Sequence, residues 1–165
     1  MTTKNSILSA EVAEKKMQRM AYEIAERNAG EASLTLAGIK ESGFIIAGKI
    51  KRLLSPVFKG TIVLIAIELD KKNPGQITVS PATELDGKVV ILIDDVASSG
   101  KTLLYALKPL LDFHPKKIQT LVLVERTHKL FPVISDYVGL SVATTLQENI
   151  IVEVKGDEVQ GAWLE

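Results

Sequence analysis

The stretch Val89-Val90-Ile91-Leu92-Ile93-Asp94-Asp95-Val96-Ala97-Ser98-Ser99-Gly100-Lys101-Thr102 constrains the fold more than any other part of the chain. An unbroken aliphatic run marks a strand buried on both faces, as in a parallel sheet covered by helices. Ligands of such sheets bind beyond the carboxyl ends of the strands. Here that end carries two adjacent carboxylates, a turn of small and hydroxyl residues, and then the helical run Leu103–Phe113. Ser98, Ser99, Gly100, Lys101 and Thr102 offer hydroxyls, an ammonium and backbone N–H groups at a helix start, a combination suited to an anion. Asp94 and Asp95 can hold a sugar diol or a divalent metal beside it. A sugar phosphate is the ligand these groups imply. The bland alternative is that the acids end a strand and the serines cap a helix. Against it, adjacent carboxylates repel without a cation or hydroxyl partner, and a cap requires only one serine.

Two other phosphate motifs are excluded. Gly100-Lys101-Thr102 mimics the end of a P-loop, but Asp95 stands where that motif requires its earlier glycine. No G-x-G-x-x-G follows any candidate strand, so a dinucleotide fingerprint is missing as well.

Elsewhere the hydrophobic periods alternate between strand and helix. Ala13, Met17, Met20 and Ile24 recur at helical spacing within Ser9–Asn28, and Gly30 closes that helix. Leu34–Ala37 is a short apolar strand, Lys40–Gly43 a loop, and Phe44–Leu54 a helix stopped by Ser55-Pro56. Thr61–Leu69 is β-branched and aliphatic, hence a strand. Asp70–Gly75 is the most polar stretch and predicts an exposed loop or hairpin tip, with Ile77–Val79 as the returning strand. Asp86-Gly87 is a turn before the central strand. Pro109 falls late enough in Leu103–Phe113 to end or kink the helix. Ile118–Val124 is a further apolar strand, and Val138–Gly139, Ile150–Val154 and Val159–Trp163 are shorter ones. This alternation predicts an α/β fold: a mostly parallel twisted sheet with helices on both faces.

Composition narrows the class. With 165 residues the chain is expected to form a single domain, 1–165. Hydrophobic residues are 46% and aromatics only 5%, so aliphatics fill the core. Lys+Arg 20 against Asp+Glu 20 argues against a broad basic surface for nucleic acid, though not against a local patch. The absence of cysteine rules out disulfides and thiolate metal sites and suits the cytoplasm. The polar N-terminus and the lack of an apolar run near ~18 residues predict neither a signal peptide nor a membrane span.

Val90–Thr102 resembles the phosphoribosyl-pyrophosphate (PRPP) signature of type I phosphoribosyltransferases: aliphatics, Asp-Asp, a hydrophobic residue, and a Thr/Ser-Thr/Ser-Gly-x-Thr loop. More of the chain, roughly residues 12–155, is similar to the branch of bifunctional pyrimidine operon regulator/uracil phosphoribosyltransferases. Residues Ala21 to Gly30 resemble its first helix, Gly38-Ile39-Lys40 and Gly43 its pyrophosphate loop, and Leu121 to Lys129 with Asp136-Tyr137-Val138-Gly139 its late strands. The resemblance implies that fold, with a small hood and a flexible loop hairpin. It implies transfer of ribose phosphate from PRPP to a nucleobase, uracil by preference, with loss of pyrophosphate. The alternative it carries is a nucleotide- or PRPP-sensing regulator of pyrimidine gene expression with weak or no catalysis. Mg²⁺ as cofactor and a homodimer are implied too.

Carried onto this chain, the resemblance assigns the ribose phosphate to Val96, Ala97, Ser98, Ser99, Gly100, Lys101 and Thr102. Asp94 and Asp95 face the ribose hydroxyls, directly or through Mg²⁺-bound water. The base lies against the backbone of Val138 and Gly139, beneath the hood. Glu125 stands where the branch usually has Asp and a purine enzyme has Lys, which favours the pyrimidine branch.

At the pyrophosphate end this chain departs from the branch. Lys40, Glu41, Ser42 and Gly43 replace Lys-Thr-Arg-Gly, so an arginine fork is lost and a carboxylate arrives where an anion binds. Either Glu41 points to solvent while the loop backbone meets the ligand, or it opposes the anion. Glu68-Leu69-Asp70-Lys71-Lys72 likewise lacks the branch's arginine and forms a shorter loop; Lys71 and Lys72 either reach pyrophosphate in a closed state or simply solubilise a turn. Arg126, His128 and Lys129, with Arg19 and Tyr22, are candidates for RNA contact. A solvated loop is the favoured reading for them, because RNA affinity needs accumulated phosphate neutralisation.

Overall fold

The computed structural model describes residues 4–165, and its centre is the aliphatic run. That run forms β5 (Val89–Ala97), flanked by β2 (Ser33–Ile39) and β6 (Lys117–Arg126), both parallel to it. Beyond β2 lies β3 (Thr61–Glu68), also parallel, and β7 (Tyr137–Val142) runs parallel to β6 at the far edge. A short β4 (Thr78–Ser80) turns back antiparallel on β3, pairing Glu68 with Thr78, the hairpin option of the two open for Asp70–Gly75. The six strands run in the order β4-β3-β2-β5-β6-β7.

Successive β5 side chains enter different cores, as strand geometry demands. Val89, Ile91 and Ile93 pack with Met17, Met20 and Ile24 of α1 (Ala10–Arg27) and with Ile46, Ile50 and Leu54 of α2 (Ser42–Leu54). Val90 and Leu92 pack with Leu103 and Ala106 of α3 (Lys101–Leu107) and with Leu110. Helices therefore cover both faces. Burying each of the Val, Leu, Ile and Met side chains among these contributes about 1.5–3 kcal/mol, so a charge at Ile91 or Leu92 would break the sheet from within.

Helix boundaries follow local chemistry. Ser9 begins α1 as its N-cap, its hydroxyl accepting the Val12 N–H at 3.2 Å. The run expected as one helix, Leu103–Phe113, instead starts at Lys101, ends at Leu107, and continues as a 3₁₀ turn over Lys108–Asp112. Pro109 has no N–H to donate and cannot continue the α-helical ladder.

The hood is a separate antiparallel sheet in the order β1-β9-β8, built from β1 (Asn5–Ser9), β9 (Glu158–Leu164) and β8 (Ile150–Lys155). Nothing in Asn5–Ser9 alone signals a strand. It becomes one by pairing with β9, with Leu8 buried beneath the seam. No helix among the described residues is long and apolar enough to cross a membrane.

Candidate functional site

Both acids sit where β5 leaves the core. Asp94 is fully buried, and its Oδ1 accepts the Asp95 N–H at 2.9 Å; Asp95 Oδ1 in turn accepts the Val96 N–H at 2.8 Å. Gly43, in the first turn of α2, lies directly against this point. A Cβ there would stand 2.7 Å from the Ile93 carbonyl oxygen and 3.0 Å from Asp94 Oδ1, so only glycine lets α2 start this close to the acid.

A cation reaches the pair from the loop between β3 and β4. Lys71 Nζ lies 3.1 and 3.3 Å from the two Asp94 oxygens and 3.4 Å from Asp95 Oδ1. Burial, then the neighbouring Asp95 charge, holds the Asp94 carboxyl well above the usual carboxylate range, and Lys71 only partly offsets this. Burial also works against the Lys71 charge, but the two carboxylates outweigh it and its ammonium is raised. The two shifts differ in what they favour, a proton on Asp94 and a charge on Lys71. Together they describe two acids sharing one lysine charge.

After the acids the chain makes the turn that carries the hydroxyls. Gly100 adopts φ +84°, a left-handed conformation that favours glycine. The turn is clamped from the loop after β6: the Ser99 carbonyl accepts the N–H groups of Leu130 at 2.9 Å and Phe131 at 3.0 Å. Ser99 Oγ accepts the Lys101 N–H at 3.2 Å, and α3 begins there. Because α3 spans only Lys101–Leu107, the turn's own N–H groups and hydroxyls, more than a helix dipole, are what an anion would meet.

Between this turn and the hood lies a cleft of about 340 Å³. Its floor is Asp95, Val96, Ala97, Ser98, Ser99, Gly100 and Thr102, Lys71 closes one side, and Asn149 to Val152 of the hood form the roof. Sequence reasoning named the hood only in outline. Asn149–Val152 carry no motif; they belong to the β8–β9 hairpin, which is completed as a sheet by β1 from the other end of the chain.

The remaining expected residues surround the cleft rather than line it. Lys101 Nζ lies 5.9 Å from the Tyr105 ring centroid. Lys40 pairs with Glu68 at 2.6 Å, and its N–H bonds the Ile67 carbonyl. Glu41 is exposed and its side chain makes no capping bond to α2. Lys72 is exposed, with its N–H bonded to Asp70 Oδ1 at 2.9 Å. Val138 lies level with Asp94 across the sheet, since Asp94 pairs with Val122 and Val122 with Val138. Two strand spacings put them about 10 Å apart. The carbonyls of Val138 and Gly139 accept Arg19 Nη2 at 2.9 and 3.1 Å, a contact with no sequence signal because Arg19 lies on α1.

The basic cluster does not present itself outward as a unit. Arg126 Nη2 bonds the Glu148 carbonyl, and Lys129 pairs with Glu125 at 2.7 Å. Glu125 also accepts the Ser141 hydroxyl at 2.8 Å. Burial pushes the Glu125 carboxyl up, but Lys129 and Ser141 outweigh it and the net shift is downward. Tyr137 is buried in the core, with its hydroxyl donating to Gln119 at 2.8 Å and the Arg27 guanidinium 4.9 Å from its ring.

Among the described residues no three His, Cys, Asp or Glu side chains gather into a metal cage. Two adjacent carboxylates, one of them deeply buried and short of countercharge, fit a hard divalent cation that takes its other ligands from phosphate and water.

A family model for the phosphoribosyl transferase domain matches residues 4–157. The bifunctional protein PyrR of Enterococcus faecalis is 34% identical over 92% of this chain and 90% of that protein. Its namesake in Haemophilus ducreyi is 33% identical, covering 90% of this chain and 89% of that one. Among solved structures, the hypoxanthine phosphoribosyltransferase of Trypanosoma cruzi superposes with TM-score 0.79 at 17% identity, covering 97% of this chain and 95% of that one. A hypoxanthine-guanine phosphoribosyltransferase from Bacillus anthracis gives TM-score 0.73 at 20% identity, covering 92% and 88%.

Proposed function

Because the chain belongs to the type I phosphoribosyltransferase family, in the branch of the PyrR proteins, and is thus a PRPP-dependent pentosyltransferase, we propose that its acceptor is uracil and its product UMP. In this reaction a ring nitrogen of the base attacks the anomeric carbon of PRPP. The new C–N bond forms as the C–O bond to pyrophosphate breaks, and the proton on that nitrogen leaves to solvent or phosphate. Positive charge builds on the ribosyl ring and negative charge on the leaving group, so fixed electrostatics and positioning are the means of catalysis.

In this reading the Ser98–Thr102 turn holds the ribose phosphate through its N–H groups and hydroxyls, with Val96 and Ala97 as the floor beneath the sugar. Asp94 and Asp95 orient the ribose hydroxyls and are the groups that would hold Mg²⁺; when bound, the metal neutralises diphosphate charge. The base lies towards Val138 and Gly139 under the hood, and Glu125 near that edge suits the pyrimidine choice. The observation that carries the reading is the single cleft that joins a carboxylate, the hydroxyl turn and the hood strand β8. Incubation with PRPP, Mg²⁺ and each common base tests it. UMP formed with uracil is the expected result, and a different preferred base, or no nucleotide, overturns it.

A second reading, a PRPP- or nucleotide-sensing regulator with weak turnover, is favoured by the pyrophosphate side. There Lys40 is tied to Glu68, Glu41 replaces a neutral residue, and Lys71 is tied to the acids. UMP binding without turnover would select it. RNA contact through Arg126, His128 and Lys129 is not the favoured form of this regulation, since Arg126 and Lys129 already have partners within the chain. The same reading includes a homodimer in the cytoplasm, the former tested by sedimentation equilibrium.

A further inference from the structure

Lys71 reaches the acids from a loop shaped by Asp70, whose Oδ1 accepts the Lys72 N–H at 2.9 Å and the Asn73 N–H at 3.4 Å. Its side chain is 41% exposed, whereas Asp94 is fully buried and Asp95 only 15% exposed. The acids are the fixed half of this arrangement and the lysine is the removable half. A lysine is a single charge on a flexible stem. It can neutralise one of two adjacent carboxylates but not both, although its Nζ lies within 3.4 Å of oxygens of each. A divalent cation at similar distance supplies twice the charge, and a bound diphosphate would complete its coordination.

Resting on the reading that these acids serve Mg²⁺-PRPP, we propose that Lys71 is their resident counter-cation in the free chain, a positive charge that the incoming metal-ligand pair must displace. Lys71 thereby lowers the affinity for that pair while stabilising the empty site, since any contact broken on binding subtracts from affinity. The sign of the effect separates this role from a phosphate clamp. A lysine that gripped the ligand would cost affinity when neutralised, whereas a resident counter-cation raises it.

The experiment titrates the full chain with Mg²⁺-PRPP by calorimetry and, separately, with Mn²⁺ alone by electron paramagnetic resonance. Lys71→Met and Lys71→Gln should each bind both probes about three- to tenfold tighter than the unaltered chain. Lys71→Arg, which keeps the charge, should restore the original affinity. Amides of residues 70–76 should exchange faster in the free Lys71→Met chain, which has lost its tether. Equal or weaker binding by the neutral variants overturns the proposal. If no chain binds PRPP, the functional reading fails instead, and the Mn²⁺ arm still decides for or against Lys71.

Discussion

Gly100→Ala tests whether the hydroxyl turn is held in one conformation by sterics. The residue sits at φ +84°, where an L side chain costs about 1–2 kcal/mol. The added Cβ would also lie 2.8 Å from Val133 Cγ1, against an ordinary carbon separation of about 3.5–4.0 Å. Val133 is half-buried against the α3-side core, so making room means shifting either that side chain or the turn, at about 1–2 kcal/mol. The sum is about 2–4 kcal/mol. For a chain of this length that corresponds to a fall in melting temperature of roughly 4–16 °C. The turn cannot retreat freely, because the Ser99 carbonyl is held by Leu130 and Phe131. Loss of PRPP affinity should therefore accompany loss of stability. Thermal melts followed by circular dichroism, with PRPP calorimetry on the folded protein, read both quantities. A variant that melts within 2 °C of the original, about half the smallest shift expected, and binds PRPP equally would refute the steric account of this turn.

Gly48→Ala serves as the converse: the position lies inside α2 with nothing within 4 Å of an added Cβ, so denaturant unfolding should show a gain of about 0.5–1 kcal/mol. Asp95→Asn should keep the fold yet weaken Mg²⁺-PRPP binding about 10- to 100-fold, the worth of a lost charge-assisted contact; unchanged affinity in calorimetry would remove Asp95 from the site. Asp94 has a folded-state pKa above its ordinary value of 3.8, so its contribution to stability is complete below that value and declines as pH rises through the raised one. Urea unfolding of the ligand-free chain should therefore show stability falling over that window, with the slope flattened in Asp94→Asn; a parallel pH profile for the two proteins would contradict the assigned burial cost.

Local chemistry made much of this protein readable from its residues. The unbroken Val89–Ile93 run could only be an interior strand, because each neighbouring side chain needed an apolar face to enter. The turn that follows it was visible because few residue types tolerate a left-handed position or supply hydroxyls and N–H groups together. The Asp70–Gly75 hairpin and the end of α3 near Pro109 were legible for the same kind of reason, one from turn chemistry and one from a missing N–H.

Tertiary structure decided the rest, through partners that local spacing does not name. Asn5–Ser9 became a strand only through β9, more than 150 residues away. The roof over the cleft, Asn149–Val152, carries no motif; β8 and β9 form a local hairpin, and β9 is joined to the rest of the hood by pairing with β1 at the other end of the chain. Lys71 could have solubilised a turn or faced an anion by sequence alone, yet it lies on Asp94 because those buried acids demand positive charge at close range. Spacing along the chain encodes periods and turns, but which side chain meets which charge across the fold is set by packing alone.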